Sequence, residues 1–451
     1  MASKVKNMTA GNPLSLIITF SLPLMAGNIF QQMYTVVDTM VVGKVLGVDA
    51  LAALGATDWL NWLVLGMIQG ITQGFAILIA RKFGAQQIEG LKKVVGTSVL
   101  LTILCSVLFL CASQLVAKPA LLLLQTPTEI LPWSLLYLRI MFAGIPIVMA
   151  YNLLACILRS LGDGQTPLTA MVIASLLNIG LDLLFVLVFR WGIAGAAIAT
   201  LIAQLVSGVF CFLRLRKVDF MTMTREHYRM ESGTAKQLMN LGWPMAAQNA
   251  IIAIGGMIIQ TVVNGYGVIF IAGFTATNKL YGILEMAATS YGYAMITYVG
   301  QNLGAQNMGR IRKGMRCAVI VALITSAFIT AAMILFGKNI VGLFLSGSAQ
   351  EVEQAMAVAY TYLVIMSVCL PVLYILHVTR SAVQGMGNTV LPMVSGIAEF
   401  IMRTGGVLLL PMILGQTGIF LAEVSAWAGA DLILIPSYFY IYRRCCSQIK
   451  E

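Results

Sequence analysis

Long apolar runs set the first limit on what this chain can become. Stretches of 20 or more residues, poor in charge and bounded by loops rich in charge, Gly or Pro, fall at 13–42, 51–80, 94–116, 133–158, 167–189 and 193–214. Six more follow at 237–263, 269–298, 314–336, 356–379, 391–412 and 416–442. About 20 apolar residues cross a bilayer as a helix, and in hydrocarbon only helices and closed barrels satisfy their own backbone. The runs therefore predict an all-α integral membrane protein of twelve transmembrane helices. Composition agrees, with 59% hydrophobic and 10% charged residues, where soluble domains carry about 25% charged. A soluble globular protein is excluded, and little chain is left for a folded domain outside the membrane. The first run is too long for a signal peptide and lacks a small-residue cleavage site after it, so it is read as a retained span.

Charge reports orientation. Lysine and arginine outnumber aspartate and glutamate 28 to 17, a net +11, but the basic residues sit in short loops without a stripe of interleaved aromatics, and no nucleic-acid partner is expected. With the N-terminus inside, the inner set comprises Lys4, Lys6, Arg81, Lys82, Lys92, Lys93, Arg159, Arg214, Arg216, Lys217, Arg225, Arg229, Lys236, Arg310, Arg312, Lys313, Arg316, Arg380, Arg443, Arg444 and Lys450. The outer set is Lys44, Lys118, Arg190 and Lys338, and Arg139, Lys279 and Arg403 fall within spans. Twenty-one against four satisfies the positive-inside rule and puts both termini in the cytoplasm. Six of the eight cysteines lie in or beside apolar runs, where a thiol behaves as a small hydrophobe, and no paired CxxC spacing for a metal appears. Cys445 and Cys446, on the cytoplasmic side, are expected to stay reduced.

The chain also repeats itself. Gly84, Ala85 and Gln86 align with Gly304, Ala305 and Gln306 at an offset of 220, and nearly the same offset joins Pro23 to Pro244, Asn28 to Asn249, Ala56-Thr57 to Ala276-Thr277, Arg159-Ser160 to Arg380-Ser381 and Gly195 to Gly418. Agreement at places spread along the whole chain argues for a duplicated six-helix unit. The division reads as residues 1–213 for an N-terminal bundle, 214–236 for a cytoplasmic basic linker and 237–451 for a C-terminal bundle. Because six is even, the two pseudo-symmetric halves enter the membrane in the same orientation, an arrangement common among transporters whose halves rock about a shared substrate site.

Several segments carry a family resemblance: VVDTMVVG around Asp38, the paired GAQ segments, LRSLGDGQTP from Leu158, NIGLDLLFV around Asn178 and Asp182, and GIAGAAIAT ending at Thr200. Together, along the whole chain, they resemble the multidrug and toxic compound extrusion (MATE) family of cation-coupled antiporters, in particular its bacterial branch with aspartates in the N-terminal lobe. The resemblance implies a cation-coupling site at Asp38, Asn178, Asp182 and Thr200 that takes H+ or Na+, with no other metal and no cofactor. It implies export of small organic cations through a bacterial inner membrane, by a protein expected to work as a monomer. Another branch carries an aspartate in span ten; here Met356 to Arg380 holds no carboxylate, so an ion site of that kind is not expected.

The residues give their own reason for that assignment. An ionised group in hydrocarbon costs about 2.5 to 3.5 kcal/mol even on insertion scales, so buried acids in the spans demand an explanation. Asp38, late in span one, Asp182, late in span five, and Thr200, early in span six, fall at comparable depth in the outer half. Asn178 and Asp182, four apart, share a helix face, as do Gln31, Tyr34 and Asp38. No basic residue at that depth in those three spans neutralises the two acids. Two carboxyls close together can hold a proton between them or coordinate Na+ with the amide and hydroxyl oxygens. A cationic cargo then competes with the ion for the same negative charge, and that competition is antiport; moving one charge across 100 mV supplies about 2.3 kcal/mol.

Gln31, Tyr34, Asn152 and Glu285 are the expected substrate-cavity residues, and Pro23, which cannot donate a helical hydrogen bond, the expected conformational hinge. Glu399 and Arg403, four apart, read as a structural ion pair, whereas Glu285 stands too far from Lys279 on its helix to pair well, and Asp431 has no assignment. His377 reads as packed or interfacial and His227 as solvated. An enzyme is not expected: the chain has two histidines, neither in a metal-spaced cluster with glutamates, and no GxxxxGK[ST] loop for an ATP-driven pump. The competing reading is a lipid or oligosaccharide flippase of a related exporter family, which fourteen spans and a basic cavity would favour.

Overall fold

The computed structural model describes residues 5–345 and 348–450; Lys4, counted above among the inner charges, lies outside them. Among the described residues the regular structure is helical, without strands. In chain order the helices are α1 (Pro13–Leu46), α2 (Val48–Gly84), α3 (Ile88–Leu123), α4 (Leu131–Ala143), α5 (Ile145–Ser160), α6 (Gln165–Asp182) and α7 (Ile193–Leu215). Then come α8 (Ser232–Asn264), α9 (Val268–Gly304), α10 (Met308–Gly342), α11 (Ala349–Gly385), α12 (Val390–Leu409), the short α13 (Pro411–Leu414) and α14 (Thr417–Lys450).

These helices make the twelve spans of an integral membrane protein once the broken ones are joined. A π-helical turn, Leu183–Val188, continues α6, α12 and α13 form one stretch, and α4 and α5 meet at 48°. The bend falls at Gly144 and Pro146, where proline lacks an N–H and its ring crowds the preceding turn. By hydropathy and length eleven spans qualify among the described residues when that bent pair is counted as one; α9, 37 residues long, is the twelfth and is more polar, with Asn278, Lys279 and Glu285 in its course. The helices outrun the apolar windows, as α3 does by taking in Glu89, Lys92 and Lys93: hydropathy measures the hydrocarbon, while the helical hydrogen bonds continue into the wet interface. Side chains such as Leu115, Phe328 and Leu432 stand more than 70% exposed, the outward apolar surface that lipid, not water, covers.

The chain forms two compact units. One comprises the residues up to Met8 together with Leu22–Ala246; the other comprises Thr9–Ser21 and the residues from Ala247 onward. Helix α1 thus changes unit at Leu22, beside Pro23, and α8 changes unit at Ala247, close to Pro244.

In the first unit, Ile68, Ile71 and Phe75 of α2 pack with Leu91 and Val94 of α3, Leu138 and Phe142 of α4, Met149 and Leu153 of α5 and Leu238 of α8. Glycine makes the α2–α8 crossing possible: a Cβ on Gly74 would lie 2.3 Å from the Gly242 Cα, and one on Gly70 would lie 2.5 Å from the Ala246 nitrogen. Small residues at four-residue spacing are what let apolar helices approach by their backbones. In the second unit aromatic side chains do the filling. Tyr362 stacks between Phe274 and Phe420 at 4.8 and 4.7 Å, and the buried Tyr374 hydroxyl donates to the Leu284 carbonyl at 2.8 Å.

The repeat is visible in the backbone. Gln86 and Gln306 are two of four non-glycine residues with positive φ among those described, at 55° and 56°. Each ends its helix in the same way, with Gln86 N–H on the Phe83 carbonyl and Gln306 N–H on the Leu303 carbonyl, both 3.0 Å, followed by Gln87 on Lys82 and Asn307 on Asn302 at 3.1 and 2.9 Å. That is the left-handed helix stop that closes the orphan carbonyls of a C-terminus.

Residues 216–231, between α7 and α8, hold two 3-10 turns, Asp219–Met221 and Arg225–Tyr228. His227 there is not solvated: it is buried, its Nδ1 accepts from the Thr224 N–H at 2.9 Å, and its Nε2 lies 3.0 Å from Glu89 Oε2 on α3. A Cβ on Gly96 of α3 would fall 1.8 Å from the His227 carbonyl oxygen, so the loop lies directly on that helix. Arg159 and Arg380, counted above among loop charges, stand inside α5 and α11.

Candidate functional site

Asp38 from α1 and Asp182, the last residue of α6, are both buried, and their carboxyls come within hydrogen-bonding range of each other. Two carboxyl groups bond only if one of them carries a proton, since an ionised carboxylate is an acceptor alone. The Oδ1 atom of each has no hydrogen-bond partner, and among the described residues no lysine, arginine or histidine forms an ion pair with either. Asn178, one turn before Asp182, completes the arrangement. Turned to suit its neighbours, its amide nitrogen donates to Asp182 Oδ2 at 3.1 Å and its oxygen accepts from the Thr200 N–H at 3.2 Å. So Asp38, Asn178, Asp182 and Thr200, from α1, α6 and α7, meet in one place. The helix switches to the π form immediately after Asp182, a deviation that recurs at functional positions. The oxygens available are carboxylate, amide and hydroxyl, hard donors suited to a proton or an alkali cation.

A cleft opens beside these residues in the same unit. Gln31 and Tyr34 of α1, Tyr151 of α5, Met171 and Asn178 of α6, and Thr200, Gln204 and Ser207 of α7 line it. Asn152 turns its amide back along α5 to donate to the Val148 carbonyl at 2.8 Å, and its neighbour Tyr151 is the residue that reaches the cleft. Along α1, Thr35 donates to the Gln31 carbonyl at 3.0 Å and Thr39 to the Thr35 carbonyl at 2.8 Å. Such back-bonding loosens a helix, as does Pro23, which removes the donor the Thr19 carbonyl would otherwise take. Asp58 of α2, within the second apolar run, adds its field to that of Asp38; sequence reasoning passed over it, though a carboxylate inside an apolar run was signal enough.

Glu285 belongs to the second unit, where Glu285 Oε1 faces His377 Nε2 at 3.3 Å. Glu399 and Arg403 are bonded at 2.9 Å on α12, but not as an isolated pair. Arg380 donates to Glu399 Oε2 at 2.7 Å, and Arg403 donates to both oxygens of Glu423 on α14 at 2.8 and 2.9 Å. Glu423, also within an apolar run, was missed in the sequence reading. Asp431 of α14 is buried nearby, its Oδ1 without a partner.

The family model MatE matches residues 23–184 and again 244–406, once in each half. The chain belongs to the MatE family. The family's double match falls on the sequence repeat, with Pro23 and Pro244 each at or beside the start of a matched segment. Among its relatives is the probable multidrug resistance protein YpnP of Bacillus subtilis, 32% identical over 420 residues that cover 92% of each chain. The multidrug export protein MepA of Staphylococcus saprophyticus is 22% identical over 413 residues, covering 91% of this chain and 88% of its own. In fold it is similar to a solved structure of MATE in complex with MaL6, with a TM-score of 0.89, 22% identity and full coverage of both chains. This MatE protein is a membrane transporter rather than an enzyme.

Proposed function

We propose that this MatE protein is a secondary antiporter that exports cationic, drug-like organic compounds in exchange for protons or sodium by alternating access. The observation that carries the reading is the contact of Asp38 with Asp182, two buried carboxyls with no basic partner among the described residues. A protein does not keep such a pair for stability, because buried charges without counter-ions cost several kcal/mol each. It keeps them to take up and release a cation. Asn178 and Thr200 orient Asp182 and complete the oxygen set, and Gln31 and Tyr34 carry the site into the cleft where cargo binds. Ion and cargo compete for the same carboxylates, so loading one expels the other. Helix α1 bends at Pro23 as Asp38 changes protonation. The names of YpnP and MepA support the cargo class. The excess of basic residues on one set of loops supports cytoplasmic termini in a bacterial inner membrane, and one chain holds the whole site, which supports action as a monomer.

Reconstitution tests this. Ethidium efflux from proteoliposomes is driven by an imposed pH gradient, or by a sodium gradient, in the wild type and is lost in Asp38→Asn. A spin-label distance across Pro23 responds to pH in the wild type and is fixed in Asp38→Asn. Ethidium movement that persists in the variant under the driving gradient overturns the assignment of Asp38, and no movement under either gradient overturns the antiport reading.

A further inference from the structure

Where α10 begins and α14 ends, positive charge gathers without an answer. Arg312, Lys313 and Arg316 of α10 and Arg443 and Arg444 of α14 are exposed, and none of them forms an ion pair with an acid among the described residues. Their neighbour Arg310 is engaged elsewhere, donating to Asn302 Oδ1 at 3.0 Å and to the Gly11 carbonyl at 2.9 Å. The helices of this unit bring no carboxylate to that end, since no aspartate or glutamate occurs at 286–350, 354–398 or 432–450.

The two helices that carry these cations are joined there. Helix α10 packs on α14, and the Tyr442 hydroxyl donates to the Met308 carbonyl, in the first turn of α10, at 3.3 Å. Tyr438, one turn before Tyr442 and stacked on it at 6.0 Å, is buried in the field of Arg312 and Arg316. Its hydroxyl makes no hydrogen bond with another described residue.

Each arginine cluster also ends an apolar stripe. On α10 the four-residue step from Arg312 to Arg316 continues to Ile320, with Leu323 and Ile324 a turn further on, and all three are exposed. On α14 Leu432, Ile435 and Phe439, also exposed, lead at three- and four-residue spacing to Arg443. Residues so spaced share one helix face. Apolar surface exposed along a membrane span is covered by acyl chains, and the arginines at its end reach the level of the headgroups. A guanidinium matches the geometry of a phosphate, and basic pockets between transmembrane helices are places where anionic headgroups bind.

We propose that the α10–α14 surface binds one anionic glycerophospholipid. Its phosphodiester lies against Arg312 and Arg316, with the Tyr438 hydroxyl donating to a phosphate oxygen and Arg443 closing the other side, and its acyl chains lie on the two stripes. A soluble anion or an acidic peptide would use the arginines but not the stripes, and it is their continuity that selects a lipid. The site involves neither the carboxyls of the first unit nor the coupling ion, so it does not depend on the antiport reading.

Native mass spectrometry of the full-length protein in detergent tests this, with phosphatidylglycerol, phosphatidylcholine of the same chains and inorganic phosphate as probes. The wild type is expected to hold phosphatidylglycerol at least tenfold more tightly than phosphatidylcholine. A basic residue near the headgroups is worth about fivefold in affinity for an anionic lipid. Arg443→Gln is thus expected to weaken phosphatidylglycerol binding about fivefold, and Arg312→Gln with Arg316→Gln about twenty-fivefold. Unchanged binding of phosphatidylcholine shows that these variants are folded, and Arg312→Lys with Arg316→Lys, which keeps the charge, retains most of the preference. Arg225→Gln with Arg229→Gln, two exposed charges in the loop between α7 and α8, leaves the binding as it is. Equal affinity for the two lipids, or equal loss in the two paired glutamine variants, overturns the proposal by reducing the preference to general surface charge. Displacement of phosphatidylglycerol by millimolar inorganic phosphate overturns it in favour of a site for soluble anions.

Discussion

Arg380 Nη2 on α11 donates to Glu399 Oε2 on α12 across 2.7 Å, with the two side chains 10% and 5% exposed. An ion pair so enclosed acts through what its loss leaves behind. Removing one partner strands a buried charge at a cost of about 3–5 kcal/mol, while replacing both by apolar groups of similar volume is nearly neutral.

Arg380→Met is therefore expected to destabilise the protein by about 3–5 kcal/mol, and Glu399→Leu by a similar amount because it also deprives Arg403 of a partner. The double variant Arg380→Met with Glu399→Leu is expected to recover most of the loss, since Arg403 keeps both oxygens of Glu423. Unfolding monitored in detergent measures all three, and a double variant less stable than either single one would contradict the account.

At the first site the corresponding change acts on function. Asn178→Ala removes the donor to Asp182 Oδ2 and the acceptor of the Thr200 N–H. Hydrogen bonds to charged groups are worth about 1.5–3 kcal/mol, so gradient-driven ethidium efflux is expected to fall by about ten- to a hundredfold. Efflux at the wild-type rate in Asn178→Ala would show that the amide does not organise the site.

The contrast between these two clusters explains how much the sequence reveals. Asp38, Asn178, Asp182 and Thr200 were legible because each is a polar residue in an otherwise apolar run, and because Asn178 and Asp182 are close along one helix. The twelve spans were legible for the same reason, polarity being costly in lipid. Glu423 and Asp58 were equally visible as intruding carboxylates, yet their partners come from other helices, and a pairing such as Arg403 with Glu423, 20 residues apart, leaves no periodic trace. His227 shows the other limit: a charged loop reads as solvated, and only the fold reveals that Gly96 clears the space for its backbone. The reach of Tyr151 rather than Asn152 into the cleft turns on one residue of helical phase, finer than an apolar window resolves.

Glycines offer a sharp test of packing. Gly74→Ala places a methyl group 2.3 Å from the Gly242 Cα, backbone against backbone, and nothing flexible can yield. It is expected to prevent stable assembly of the first unit, read as loss of a monodisperse peak on size-exclusion chromatography. Gly55→Ala on the same helix meets nothing within 4 Å and is expected to gain about 0.5–1 kcal/mol from helix propensity alone. Equal behaviour of the two variants would mean that the α2–α8 crossing is looser than described.

The loop between α7 and α8 gives a prediction about local opening. Residues 216–231 are held on α3 by the burial of His227, by its hydrogen bonds with Thr224 and Glu89, and by the absence of a side chain at Gly96. Gly96→Ala puts a Cβ 1.8 Å from the His227 carbonyl oxygen, so the loop must lift away from α3. Arg216, Lys217, Arg225 and Arg229 in that segment are trypsin sites, and proteolysis follows the population of the open form when closing is fast. Cleavage between the two halves is expected to be at least tenfold faster in Gly96→Ala than in the wild type, with Gly90→Ala on the same helix as the control, since a Cβ there meets only side-chain atoms at 3.6 Å or more. His227→Ala, which removes the contact with Glu89 but leaves the backbone seated, is expected to fall between them. A cleavage rate in Gly96→Ala no greater than in Gly90→Ala would show that the loop is held by other contacts than the seat of His227 on α3.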